Sequence, residues 1–204
     1  MNRHRAIGLL TLVLAGAPAT VAAQSDKLAG RFPAAAAATL RSIIDSARAE
    51  GLPTEPLVQR ALEGGSRGVE VGRVVAAVRA LRGRLGVARQ ALGSAMEAEL
   101  VAAASTLYLG VAPDTLAMLR RQQSSRNLAL PLVVLADIIQ QGVPKDTAAG
   151  ILLSLTNAGV GDESYRTLRQ AVLLDIRSGV PPATAATMRA RGALLELPRP
   201  TAPR

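Results

Sequence analysis

The chain has 204 residues, a formal net charge of +9 and neither cysteine nor tryptophan. Without cysteine there is no disulfide, no thiolate nucleophile and no cysteine-rich zinc site. Its three aromatic residues, Phe32, Tyr108 and Tyr165, are little equipment for stacking sugars or bases.

The N-terminus reads as a secretory signal peptide over residues 1–23. A basic start (Arg3, His4, Arg5) leads into the apolar run Ala6–Ala17, and the small residues Val21-Ala22-Ala23 supply a cleavage site. A membrane anchor needs about 20 apolar residues, and this run meets Pro18 first. Cleavage after Ala23 removes His4, the only histidine, together with Arg3 and Arg5. The remainder then lacks the base for Ser-His-Asp catalysis and any imidazole metal ligand. No later run has the length to span a bilayer, so a soluble periplasmic or extracellular protein is expected.

Residues 24–32 read as a flexible segment before a helical domain over 33–192. Pro33 opens a helix to about Glu50, with Leu40, Ile43, Ile44 and Ala47 on one face. A shorter helix after Pro53 carries Leu57, Val58, Ala61 and Leu62 and stops at a predicted loop, Gly64-Gly65-Ser66-Arg67-Gly68. The next, from Val69 to Leu92, keeps the helical period through Val71, Val74, Val78, Leu81 and Leu85, with a bend expected at Gly83 and Gly86. Ser94-Ala95-Met96-Glu97 has the capping-box form and starts a helix that ends at Gly110.

From there the punctuation recurs. Gly110-Val111-Ala112-Pro113, Gly142-Val143-Pro144 and Gly179-Val180-Pro181 each close one helix and open another, and Gly51-Leu52-Pro53 is a more distant copy. Glycine supplies the left-handed cap and proline presets the next first turn. Short helices are predicted over about 113–123, 144–157 and 182–191, with longer apolar ones over 128–141 and 163–178. Residues 193–204, with Pro198, Pro200 and Pro203, read as a disordered tail. The fold class is therefore all-α: a right-handed stack, or an irregular bundle, of eight or nine helices in antiparallel pairs. The pattern resembles α-solenoid arrays. It carries none of the landmark residues of tetratricopeptide or ankyrin repeats.

Five residues are singled out as structural or interaction candidates. Asp137 and Asp175 sit at nearly equivalent repeat positions beside the buried stripe. Buried carboxylates mark function or are paired, and repetition favours pairing with an arginine or a helix N-terminus. Arg120, Arg121 and Arg126 flank one helix–helix loop and offer a basic patch. Along the longest helix, Arg82 and Arg89 fall at one edge of the apolar stripe and Arg73 and Arg84 at the other, where their stems cover the core margin.

Asp162-Glu163-Ser164 resembles the catalytic Glu-Ser of lytic transglycosylases, which cleave cell-wall glycan, and the resemblance implies Glu163 as a general acid. That family's downstream glutamine and aromatic motifs are not found. Asp162 as an N-cap with Glu163 in the first turn accounts for the same residues. There is neither a calcium-loop spacing nor a phosphate-binding glycine loop, and no cofactor is expected.

These features favour an exported, non-enzymatic scaffold whose partner is another envelope protein. The alternatives are an arginine-driven binder of anionic polymer or lipid headgroups, and a carboxylate-dependent cell-wall glycan enzyme. No specific nucleic-acid role is expected.

Overall fold

The computed structural model describes residues 28–196. The predicted signal peptide and residues 197–204 of the predicted tail lie outside them. Nine helices and no strand occur among the described residues. They are α1 (Ala34–Ala49), α2 (Glu55–Ser66), α3 (Val71–Leu92), α4 (Glu97–Tyr108), α5 (Pro113–Gln122), α6 (Ala129–Gln140), α7 (Lys145–Asn157), α8 (Asp162–Arg177) and α9 (Pro182–Leu195).

The helical spacing of apolar residues decides which face each helix buries. Leu40, Ile43, Ile44 and Ala47 of α1 point inward, as do Val74, Val78, Leu85 and Leu92 of α3 and Tyr165, Leu168 and Val172 of α8. All substantial helix contacts join elements one or two places apart in the chain. The odd helices form one row, through α1–α3, α3–α5, α5–α7 and α7–α9. In the other row α4 packs on α6 and α6 on α8, while α2 lies against α3. One continuous core runs between the rows, from Leu28 to Ala190. The molecule is a stack of helix pairs in which each helix is supported by near neighbours.

The recurring punctuation is a helix-end device. Gly51, Gly68, Gly110, Gly142, Gly159 and Gly179 all have φ between 64° and 94°. The residue after each donates its N–H to the carbonyl five positions back, at 2.9–3.3 Å: Leu52 to Ala47, Val69 to Gly64, Val111 to Thr106, Val143 to Ile138, Val160 to Leu155 and Val180 to Asp175. This is the Schellman cap. Leu52, Val111, Val143 and Val160 are buried, so the cap also turns an apolar side chain back onto the core. Two of the six copies, at Gly68 and Gly159, lack proline and start the next helix at an acid-led turn, Glu70 or Asp162.

Several local expectations are corrected. Leu28 and Phe32, inside the stretch expected to be flexible, are buried against the core. The ring of Phe32 packs where a Cβ on Gly65 would come within 2.9 Å, and Val74 packs as closely over Gly64. Gly64-Gly65-Ser66 is therefore the last turn of α2 and not a loop, since the missing Cβ atoms make room for neighbours. At α4 the N-cap is Met96, and Glu99 rather than Glu97 accepts the Met96 N–H at 2.8 Å. Gly161, not Asp162, is the N-cap of α8. The last helix continues to Leu195, with Ala193 and Leu194 packed on the core, so the predicted tail is helical through that point.

Candidate functional site

The charged residues sort into those that hold the stack together and those that face an open surface. Glu99, only 3 % exposed, is the central member of the first group. Its carboxylate accepts N–H groups from Met96 and, at 2.8 Å, from Leu128, and it pairs with Arg120. Burial pushes its pKa up, but the Leu128 and Met96 N–H groups and Arg120 outweigh this, so its carboxyl is held below its ordinary value. Arg120 also donates to the carbonyls of Gln123 (3.2 Å) and Arg126 (3.0 Å), which folds the α5–α6 connection around the ion pair.

Arg126 donates to the Val160 carbonyl at 2.7 Å, at the end of α7, and lies 3.7 Å from Asp162. Arg89 and Lys145 do the same for other helix ends, donating to the carbonyls of Gly51 (2.6 Å) and Gly110 (3.2 Å). Cations at helix C-termini offset the exposed carbonyls and the negative end of the dipole. Of the three loop arginines singled out by sequence, Arg120 and Arg126 are thus turned inward onto partners. Arg121 alone is exposed, and no described carboxylate pairs with it.

The two aspartates occupy matching places but meet different partners. Asp137 of α6 lies 2.5 Å from Arg169 of α8, the next helix in its row. Asp175 of α8, the last described helix of that row, takes both Nε and Nη2 of Arg189 from α9, each at 2.7 Å. The hydrogen bonds from Arg189 lower the Asp175 pKa. Glu163 is 83 % exposed on its side chain and faces Arg166 at 3.4 Å. It lines, with Ser164, Met188, Arg189 and Glu196, an open cleft of about 350 Å³ between α8 and α9.

The open surface lies on the row of α2, α4 and α6. A groove of about 610 Å³ runs between α4 and α6, floored by Ala98, Val101, Ala102 and Ala136, with Glu97 and Asp137 on its margin. It meets a second cleft of about 330 Å³ at Ser105 and Gln140, which line both. That cleft is bounded by Arg60 of α2, Leu81 and Arg84 of α3, and Tyr108 of α4. Small residues along α4 and α6 leave room for the groove. Tyr108 is 67 % and Val133 43 % exposed, so two large apolar side chains stand on it without cover.

Among the described residues, no group of three or more acidic, histidine or cysteine side chains comes together to hold a metal ion. No described helix is long and apolar enough to cross a membrane. No family model matches this chain, and no curated protein or solved structure matches it either.

Sequence reasoning found Asp137 and placed Arg84 at the stripe edge, but missed Glu99 and the groove itself. Glu99 had one available signal: it is an acid directly before the apolar run from Leu100 to Ala104. The groove had none, because its walls come from helices that are not consecutive in the chain.

Proposed function

We propose that this is an exported, non-enzymatic helical scaffold that binds a polypeptide segment of another envelope protein along the α4–α6 groove. The observation that carries the reading is the groove itself: open, apolar-floored, continuous across four helices, with Tyr108 and Val133 exposed on it. Open apolar grooves rimmed by polar groups suit peptide segments. The inward engagement of Arg120 and Arg126 takes two cations away from a purely electrostatic surface.

The test uses the mature chain from Gln24, carrying a photo-crosslinking residue either at Val133 in the groove or at Met118 on the other row. The expected result is a discrete adduct with one envelope protein from position 133 and not from 118. Val133→Asp should then weaken that purified partner's affinity by roughly tenfold at moderate salt. Identical adducts from both positions would overturn the reading. So would turnover of purified cell-wall glycan that is lost in Glu163→Gln.

A further inference from the structure

The corner at which the groove ends holds two arginines, Arg60 and Arg84, of which only Arg60 has a described carboxylate partner. Five arginines reach a carboxylate on another segment: Arg82 pairs with Glu50, Arg120 with Glu99, Arg126 with Asp162, Arg169 with Asp137 and Arg189 with Asp175. Arg84 pairs with no described carboxylate. Its guanidinium stands over the Tyr108 ring, 5.0 Å from the centroid, and its Nε is buried without a hydrogen-bond partner. Arg60, on the opposite wall, has only Glu63 of its own helix at 3.5 Å. Burial and the like charge of Arg60 both disfavour the charged form of Arg84, while Tyr108 opposes them. Two guanidiniums beside a ring, with the Gln140 amide as a further donor, form an anion-binding arrangement, while the Ser105 hydroxyl donates to the Val101 carbonyl at 3.1 Å.

We propose that this corner is a carboxylate site: Arg60 and Arg84 receive an acidic group of the polypeptide that occupies the groove. The proposal rests on the groove reading above and adds the chemistry of the ligand. Charge order along α4 sets the rest of it. From the Arg60–Arg84 corner the groove passes the apolar floor at Val101 and Ala98 and ends at Glu97. The complementary segment is acidic at one end, apolar in the middle and basic at the other. Glu97 and Tyr108 are eleven residues apart on one helix, about 16 Å, which about five extended residues span. An acyl lipid with its headgroup in the corner would lay its tail against Glu97, so charge complementarity selects the polypeptide.

The experiment is an amide-shift titration of the mature protein, read at Ser105 and Tyr108 and at Arg121 as a remote cation. The probes are acetate, a blocked pentapeptide with a basic residue, three apolar residues and a final glutamate, the same peptide ending in glutamine, and vesicles containing anionic phospholipid. Acetate is expected to shift Ser105 and Tyr108 before Arg121, and the glutamate peptide to bind roughly tenfold tighter than its glutamine counterpart. Arg84→Met should erase that difference and Arg84→Lys should keep part of it, while Arg121→Met should leave it intact. Equal binding of the two peptides, equal losses in Arg84→Met and Arg121→Met, or a response confined to vesicles would each overturn the carboxylate site. If Val133→Asp abolishes peptide binding while Arg84→Met changes nothing, the groove stands and the carboxylate site fails. If Arg84→Met abolishes the acetate shift while Val133→Asp leaves peptide binding unchanged, the groove assignment fails instead.

Discussion

Glu99 shows how one residue is fixed by several weak partners at once. A carboxylate at 3 % exposure is costly unless it is paired and hydrogen-bonded, and here Arg120 and two backbone N–H groups meet that need. Removing one partner leaves the other charge buried and uncompensated, so Glu99→Gln should cost about 3 kcal/mol in urea unfolding. Because the folded-state pKa of Glu99 lies below its unfolded value, its contribution is complete above the ordinary carboxylate range. It is lost as pH falls through the folded-state value. The acid limb of the stability–pH curve should therefore flatten in Glu99→Gln, with Glu70 and Asp175, shifted in the same direction, supplying what remains of it. An acid limb of unchanged slope would show that Glu99 is not the titrating group.

At the scale of elements, the same residue type has opposite effects at different positions. Gly83 lies mid-helix with nothing within 4 Å of an added Cβ. Gly83→Ala should thus stabilise the protein by about 1 kcal/mol, read as a raised midpoint in urea. Gly142 has φ 94° and a Cβ there would stand 3.4 Å from Pro182. Gly142→Ala should destabilise by about 1–2 kcal/mol, because the left-handed cap that ends α6 and seats Val143 becomes strained. If both substitutions moved the midpoint the same way, the capping account would be wrong. Proline also explains why only four of the six caps are legible as one recurring motif, although the sequence places the helix ends near Gly68 and Gly159 within a few residues. Proline after Gly-Val advertises a boundary, whereas Gly68-Val69 and Gly159-Val160 build the same cap without it.

For the whole molecule, contacts confined to near neighbours predict how it comes apart. The terminal pair α8–α9 is held mainly by α6 and α7. Ending the chain after Val160 should keep the remainder helical and cooperatively folded, with a lower melting temperature by far-UV circular dichroism. A closed bundle would instead lose its shared core and its cooperative transition. The same architecture lets cations such as Arg126 and Lys145 brace helix ends more than thirty positions away in the chain. In such a stack each pair supplies part of its neighbour's wall.

By itself the sequence determined the helical class, the inward faces of α1, α3 and α8 and most boundaries, because periodicity and capping are local: Leu40, Ile43 and Ala47, or Gly142-Val143-Pro144, act within a few residues of themselves. It also identified Asp137 and Asp175 as paired acids in principle, since a carboxylate beside an apolar stripe needs a partner. It did not name Arg169 or Arg189, and it read Arg120 and Arg126 as candidates for a surface patch. Only tertiary structure decided those partners, the burial of Leu28 and Phe32, and the helical state of Gly64-Gly65. The groove along α4 belongs to the same class. Its walls at Arg60, Arg84, Tyr108 and Gln140 come from four helices, and long-range packing brings them together.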